Sequence, residues 1–148
     1  MQESKVHGSV VAILFRDSDG THSSPSRQYQ DKLDSIKNGF HDAQCEYGVA
    51  MLAKPTSEAW LLCALKNQYQ GCARLEELPG NRESDRHPKK LLAEVLQNRT
   101  SAEELCELVQ QGKLDGNRID MPSFNQFRDD FYQVLEQLQK GETCHGES

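Results

Sequence analysis

Val10-Val-Ala-Ile-Leu-Phe15 is a continuous apolar run, rich in β-branched residues, that stops abruptly at Arg16-Asp17-Ser18-Asp19-Gly20. Strict alternation marks a strand with one face in water, whereas an unbroken run suits a strand buried on both faces, as in a parallel sheet. The run is therefore expected to lie inside a sheet, with neighbours on both sides. Working outward, Thr21 to Pro25 reads as a polar loop, and Ser24-Pro25 can serve as N-cap and first residue of a helix. Tyr29, Leu33 and Ile36 then recur at helical spacing, and Gly39 is placed to end that helix. Tyr47-Gly-Val-Ala-Met-Leu52 reads as a second strand, stopped by Lys54-Pro55. Strand, helix and strand in this order predict a parallel βαβ unit with a right-handed crossover.

A Thr56-Ser57 cap opens a short apolar helix, Glu58 to Leu65, whose early glutamate suits the positive end of the helix dipole. From 68 to 86, Gly71, Pro79, Gly80 and Asn81 interrupt any periodicity, and a long surface loop is expected. The remainder predicts three helices. Leu91, Leu92, Val95 and Leu96 form one apolar face, Ser101 to Glu104 reads as a capping box, and Ser123 to Gln126 reads as another ahead of Phe124, Phe127, Phe131, Leu135 and Leu138. The expected organisation is an α/β core over 1–67, a loop over 68–86, a helical part of the same domain over 87–140, and a disordered polar tail over 141–148.

Composition narrows the function classes. A chain of 148 residues, 36% apolar and 27% charged, suits one globular domain and no multi-domain enzyme. The apolar runs are far too short to span a bilayer, and no charged-then-apolar leader is found, so a cytoplasmic protein is expected. With 17 Lys+Arg against 23 Asp+Glu, the formal charge of −6 argues against a general nucleic-acid coat and leaves room for an acidic nuclease that recruits metal ions. The five cysteines are odd in number and show no CxxC pair, which favours reduced thiols over a disulfide framework or a zinc site.

Asp17 and Asp19 are the strongest chemical signal. Side chains two apart on an extended chain point the same way, about 6–7 Å apart at the usual strand rise, from the carboxyl end of a parallel strand where α/β proteins place ligands. Two hard oxygen donors so placed suit Mg²⁺ or Mn²⁺. Glu58 starts the helix after the neighbouring strand and should join them, making three convergent carboxylates. Asp-Ser-Asp-Gly also suits a plain turn. Lys54 could contact a phosphate, and His87, Lys89 and Lys90 could form a small basic cluster against nucleic acid, though a helix start with solvated lysines accounts for the same residues. His22 could assist proton transfer. Trp60 and the Phe124, Phe127, Phe131 stripe read as core or a partner interface.

These segments together resemble the second half of a TOPRIM domain, the metal-binding fold of topoisomerases, primases and related nucleases. More narrowly, the chain is similar to bacterial TOPRIM-like proteins encoded beside an ATPase of the ABC or AAA kind, with suspected roles in phage defence. The resemblance is carried by the Asp17-x-Asp19 strand end, Glu58-Ala-Trp60, His87-Pro-Lys-Lys90 and Pro122-Ser-Phe124, in that order over residues 10 to 138. It implies a Mg²⁺- or Mn²⁺-dependent nuclease subunit, with Asp17, Asp19 and Glu58 as metal ligands and catalytic carboxylates, nucleic acid as substrate and an ATPase as partner. A TOPRIM domain also has a glutamate after its first strand. Only Met1 to Ser9 precede Val10, so that glutamate and its strand are expected from elsewhere, or Glu58 takes the role. A non-catalytic interaction subunit of the same shape is the alternative implied. In either case a hetero- or homo-oligomer is expected to complete the sheet, because a two-stranded sheet would leave an apolar edge bare.

Overall fold

The structure is a computed structural model that describes residues 10–19, 25–65 and 72–145. It belongs to the α/β class. Strands β1 (Ala12–Asp17) and β2 (Gly48–Ala53) pair in parallel, joined by helix α1 (Pro25–Asp42), and helix α2 (Ser57–Ala64) follows. Ala12 lies opposite Gly48 and Asp17 opposite Ala53, so the two strand ends emerge together. Helices α3 (Pro88–Val95), α4 (Ala102–Gln110) and α5 (Pro122–His145) complete the chain.

β2 is the buried strand. Its Ala50 and Leu52 side chains, which share one face, meet Leu33 and Ile36 of α1, with Tyr29 and Phe40 packed at the margin. The other face contributes Ala53 and Met51 to a larger core built on α2, where Ala59, Leu62 and Cys63 are fully buried, and closed by Leu92, Met121 and Ile119. Each fully buried leucine here is worth about 1.5–3 kcal/mol of transfer free energy. Gly48 opens β2 because the Phe40 ring lies over it: a Cβ at that position would stand 2.4 Å from ring carbons.

β1 corrects the expectation of a strand buried on both faces. Ile13, Leu14 and Phe15 are 47%, 48% and 48% exposed. The reason is where the helices sit: α1 and α5 pack against β2, whereas β1 packs chiefly on β2 itself.

Several boundaries also shift. α1 runs past Gly39 to Asp42, and Gln44, at φ 56°, takes the left-handed turn that Gly39 was expected to supply. The stretch expected as a surface loop contains a 3-10 helix over Cys72–Glu77, with Cys72, Leu75 and Glu76 buried. Six residues of 3-10 helix are too few to show a period, but they pack into the core. Cys63 and Cys72 form a disulfide with Cα atoms 5.6 Å apart, which overturns the expectation of reduced thiols at these two positions; Cys45 and Cys106 are free. Such a bridge typically contributes about 2–4 kcal/mol.

Ser123 is not a helix cap. α5 starts at Pro122, and the Ser123 N–H donates to Glu76 Oε2 at 2.7 Å while its hydroxyl accepts from Trp60 Nε1 at 2.9 Å. The buried 3-10 helix thus supplies the carboxylate that suits the helix N-terminus. Ser101 does cap α4, accepting from the Glu104 N–H at 3.2 Å. The helix of α5 continues to His145, beyond the point where a polar tail was expected. No helix among the described residues is long and apolar enough to cross a membrane.

Two measurements check this packing. Gly48→Ala should destabilise the chain by about 1–3 kcal/mol through overpacking against Phe40, whereas Gly39→Ala, with nothing within 4 Å of a new Cβ, should stabilise α1 by about 0.5–1 kcal/mol; urea unfolding reads both. Peptide mapping without reductant should recover the Cys63 and Cys72 peptides joined, and two separately alkylated peptides would contradict the bridge.

Candidate functional site

The parallel register of β1 and β2 delivers Asp17 and the start of α2 to one end of the sheet. Asp17 is the last residue of β1, and its Oδ1 accepts the Ser57 backbone N–H at 2.8 Å. That N–H is one of the orphan donors of the first turn of α2, so the carboxylate caps a helix that its own N-cap residue leaves uncapped. Thr56 makes no side-chain cap bond, which corrects its expected role: its Oγ1 is buried without a partner.

The Asp17 carboxyl is held above the ordinary carboxylate range. Burial is the main cause, the Ser57 N–H opposes it, Glu58 and Asp19 raise it further by like charge, and His87 lowers it. Asp17, Asp19, Glu58 and His87 therefore share one electrostatic neighbourhood. The sequence reading expects the three carboxylates at one strand end and does not include His87 among their neighbours.

Asp19 departs from the simple two-apart geometry. It lies beyond the strand, at φ 47°, and its N–H donates to the Pro55 carbonyl at 3.0 Å. The turn between them is pinned: Ser18, 1% exposed, donates its N–H to the Ala53 carbonyl at 2.9 Å, and Lys32 Nζ donates to the Ser18 carbonyl. The Lys54-Pro55 peptide is cis. Asp19 itself is exposed.

The basic residues are not gathered as a patch. Lys54 Nζ lies 5.7 Å from the Tyr29 ring centroid, a cation–π placement on α1. Tyr29 is pushed up to about 12 by burial and then by the Glu76 and Asp130 carboxylates. His87 is 5% exposed and is the N-cap of α3, its Nδ1 accepting the Lys89 N–H at 3.1 Å. Pro88 at the first helical position was the available signal for that cap. Lys90 reaches the Glu83 carbonyl at 3.2 Å and Asp85 at 3.8 Å, and Lys89 is exposed. His87 thus differs from the two lysines, a correction to the expected cluster: its ring is buried and caps a helix, whereas Lys89 and Lys90 are exposed. His22 lies outside the described residues. Trp60 is core, edge-on to Phe124 at 5.0 Å and stacked on Phe127 at 6.5 Å.

Among the described residues, no group of three or more His, Cys, Asp or Glu side chains is placed to hold a metal ion. The donor set therefore does not suit an ion needing a closed protein cage. It does suit the chemistry of Mg²⁺, which is commonly held by one or two carboxylates with water and substrate phosphate filling the shell. Asp17 already accepts the Ser57 N–H through Oδ1. No protein-family model, curated protein or solved structure matches this chain.

The raised Asp17 value has a stability consequence. The fold binds the Asp17 proton more tightly than the unfolded chain does, so no penalty applies below the unfolded value of 3.8, and one develops as pH rises through the raised folded value. Asp17→Asn keeps an oxygen for the Ser57 N–H and removes the charge. Thermal unfolding at pH 7 should show a higher midpoint for the variant, with the gain gone at pH 3. A loss at pH 7 would contradict the sign.

Proposed function

We propose that the chain is a TOPRIM-like subunit of a Mg²⁺- or Mn²⁺-dependent nuclease that cleaves nucleic-acid phosphodiesters within a larger assembly. The observation that carries this reading is the Asp17 carboxyl, kept above its ordinary range by burial and by Glu58 and Asp19 at the carboxyl end of a parallel sheet. Like-charged groups held near one another against their own repulsion are costly to the fold, and functional carboxylates are often kept in such surroundings. A divalent ion would relieve that repulsion.

Within this reading Asp17 and one further carboxylate, Asp19 or Glu58, would hold the ion, with water and substrate phosphate completing its shell, and the bound ion would polarise a phosphoryl oxygen and favour hydroxide at neutral pH. The Ser57 N–H fixes the Asp17 carboxylate in orientation. Lys89 stands exposed at the start of α3 and is the basic residue best placed to meet a phosphate from solution. The partner ATPase of ABC or AAA type and the defence setting follow from the family resemblance.

A second reading, a non-catalytic interaction subunit of the same shape, is favoured by a different observation. The half-exposed Ile13, Leu14 and Phe15 form an apolar strip that a finished sheet would cover.

The two separate on cleavage. The full chain, purified with whatever its native operon supplies, should cut labelled DNA or RNA when Mg²⁺ or Mn²⁺ is added. Asp17→Ala with Asp19→Ala should lower the rate by at least about 100-fold, the scale of losing several kcal/mol of charge stabilisation. Equal cleavage by both forms, or none by either, would overturn the nuclease reading.

A further inference from the structure

The outer edge of β1 meets no strand among the described residues. Ala12 and Ser18 donate their N–H groups to the carbonyls of Tyr47 and Ala53, both at 2.9 Å. The even-numbered residues of the segment therefore bond to β2. By the alternation of a parallel ladder, Val11, Ile13, Phe15 and Asp17 turn their N–H and C=O groups to the bare edge. Protein edges are normally guarded by lysine, proline, a bulge or an inward charge. Val10 to Phe15 contains no proline and no charged residue.

We propose that this edge pairs with the same edge of a second copy of the chain, antiparallel about a two-fold axis at Leu14, making one continuous four-stranded sheet. The argument is self-complementarity. In an antiparallel pair, edge-facing residues must oppose edge-facing residues so that each pair exchanges both N–H···O bonds. A symmetric pairing then has its axis on a residue, not between residues. With the axis on Leu14, Ile13 opposes Phe15 of the second copy, Leu14 opposes Leu14, Ala12 opposes Arg16, and Val11 meets Asp17 only at the ends of the ladder. Apolar pairs meet on both faces, and no like charges stand opposite one another. With the axis on Phe15, Ile13 would oppose Asp17 and Leu14 would oppose Arg16. An axis on Ile13 would carry the pairing past the start of β1 at Ala12.

An isologous interface needs no chain other than this one and uses the apolar strip twice. Aromatic and β-branched cross-strand pairs such as Phe15 with Ile13 are among the favourable ones in antiparallel sheets. The contact is small, so its strength belongs in the micromolar range. It stands on the β1 edge alone and is independent of the nuclease reading.

Sedimentation equilibrium of the full chain tests it. Wild type should be a reversible dimer at about 100 μM and dissociate towards about 1 μM. Leu14→Lys and Leu14→Glu, which set like charges opposite each other on the axis, should each remain monomeric at about 100 μM. Mixed in equal amounts they should associate again, because lysine then faces glutamate, and that recovery shows that both variants are folded. A wild type that stays monomeric, a dimer indifferent to both substitutions, or no recovery on mixing would each overturn the proposal. A monomeric chain that takes a strand from a different polypeptide would overturn it too.

Discussion

One constraint governs this structure: an apolar strand needs side-chain cover on both faces, and among the described residues only β2 receives it. Val49, Leu52 and Ala53 are at most 1% exposed, with helices on both faces of the strand. β1 has β2 on one edge and half-open faces. The apolar run from Val10 to Phe15 is thus built for a more complete sheet than the described residues supply. The fold concentrates its stability around β2 and α2, and its unsatisfied valence along β1.

The same asymmetry shapes the candidate site. Because β1 and β2 run parallel in register, their carboxyl ends put Asp17 against the first N–H of α2 and bring Glu58 into its field. The cis Lys54-Pro55 turn offers its Pro55 carbonyl to the Ser18 hydroxyl and the Asp19 N–H, which ties the carboxylate turn to the end of the buried strand. The acidic residues therefore sit on the anchored end of an otherwise exposed strand. Asp17 is kept there although burial and neighbouring charge both oppose its ionisation, a cost of the kind found where a side chain is retained for function.

Local pattern made much of the architecture legible. The apolar runs located both strands, the Tyr29, Leu33, Ile36 spacing located α1, and Ser101 located the start of α4. What stayed hidden depended on contacts distant in sequence. Cys72–Glu77 carries no readable period, yet its disulfide to Cys63 and the Glu76 bond to Ser123 build it into the core. The odd cysteine count pointed away from that bridge because parity says nothing about which two thiols a fold brings together. Ser123 looked like a cap from its spacing and serves instead as partner to Trp60 and Glu76. The convergence of Asp17 with Glu58 was readable because the βαβ rule fixes where both strands end. The inward turn of His87 is not legible locally, because Pro88, Lys89 and Lys90 suit a helix start with solvated lysines whether or not the histidine ring is buried.

The claim on which the account rests is that the outer edge of β1 becomes paired in the working protein, and amide hydrogen exchange reads that edge residue by residue. Leu14 and Arg16 turn their N–H groups to β2 and should exchange slowly at every protein concentration. The outward N–H groups of Ile13 and Phe15 should exchange fast in dilute solution and become protected as the concentration rises through the micromolar range. Fast exchange at Ile13 and Phe15 at all concentrations would contradict pairing through this edge, and slow exchange at all concentrations would show that the edge is already covered within a single chain.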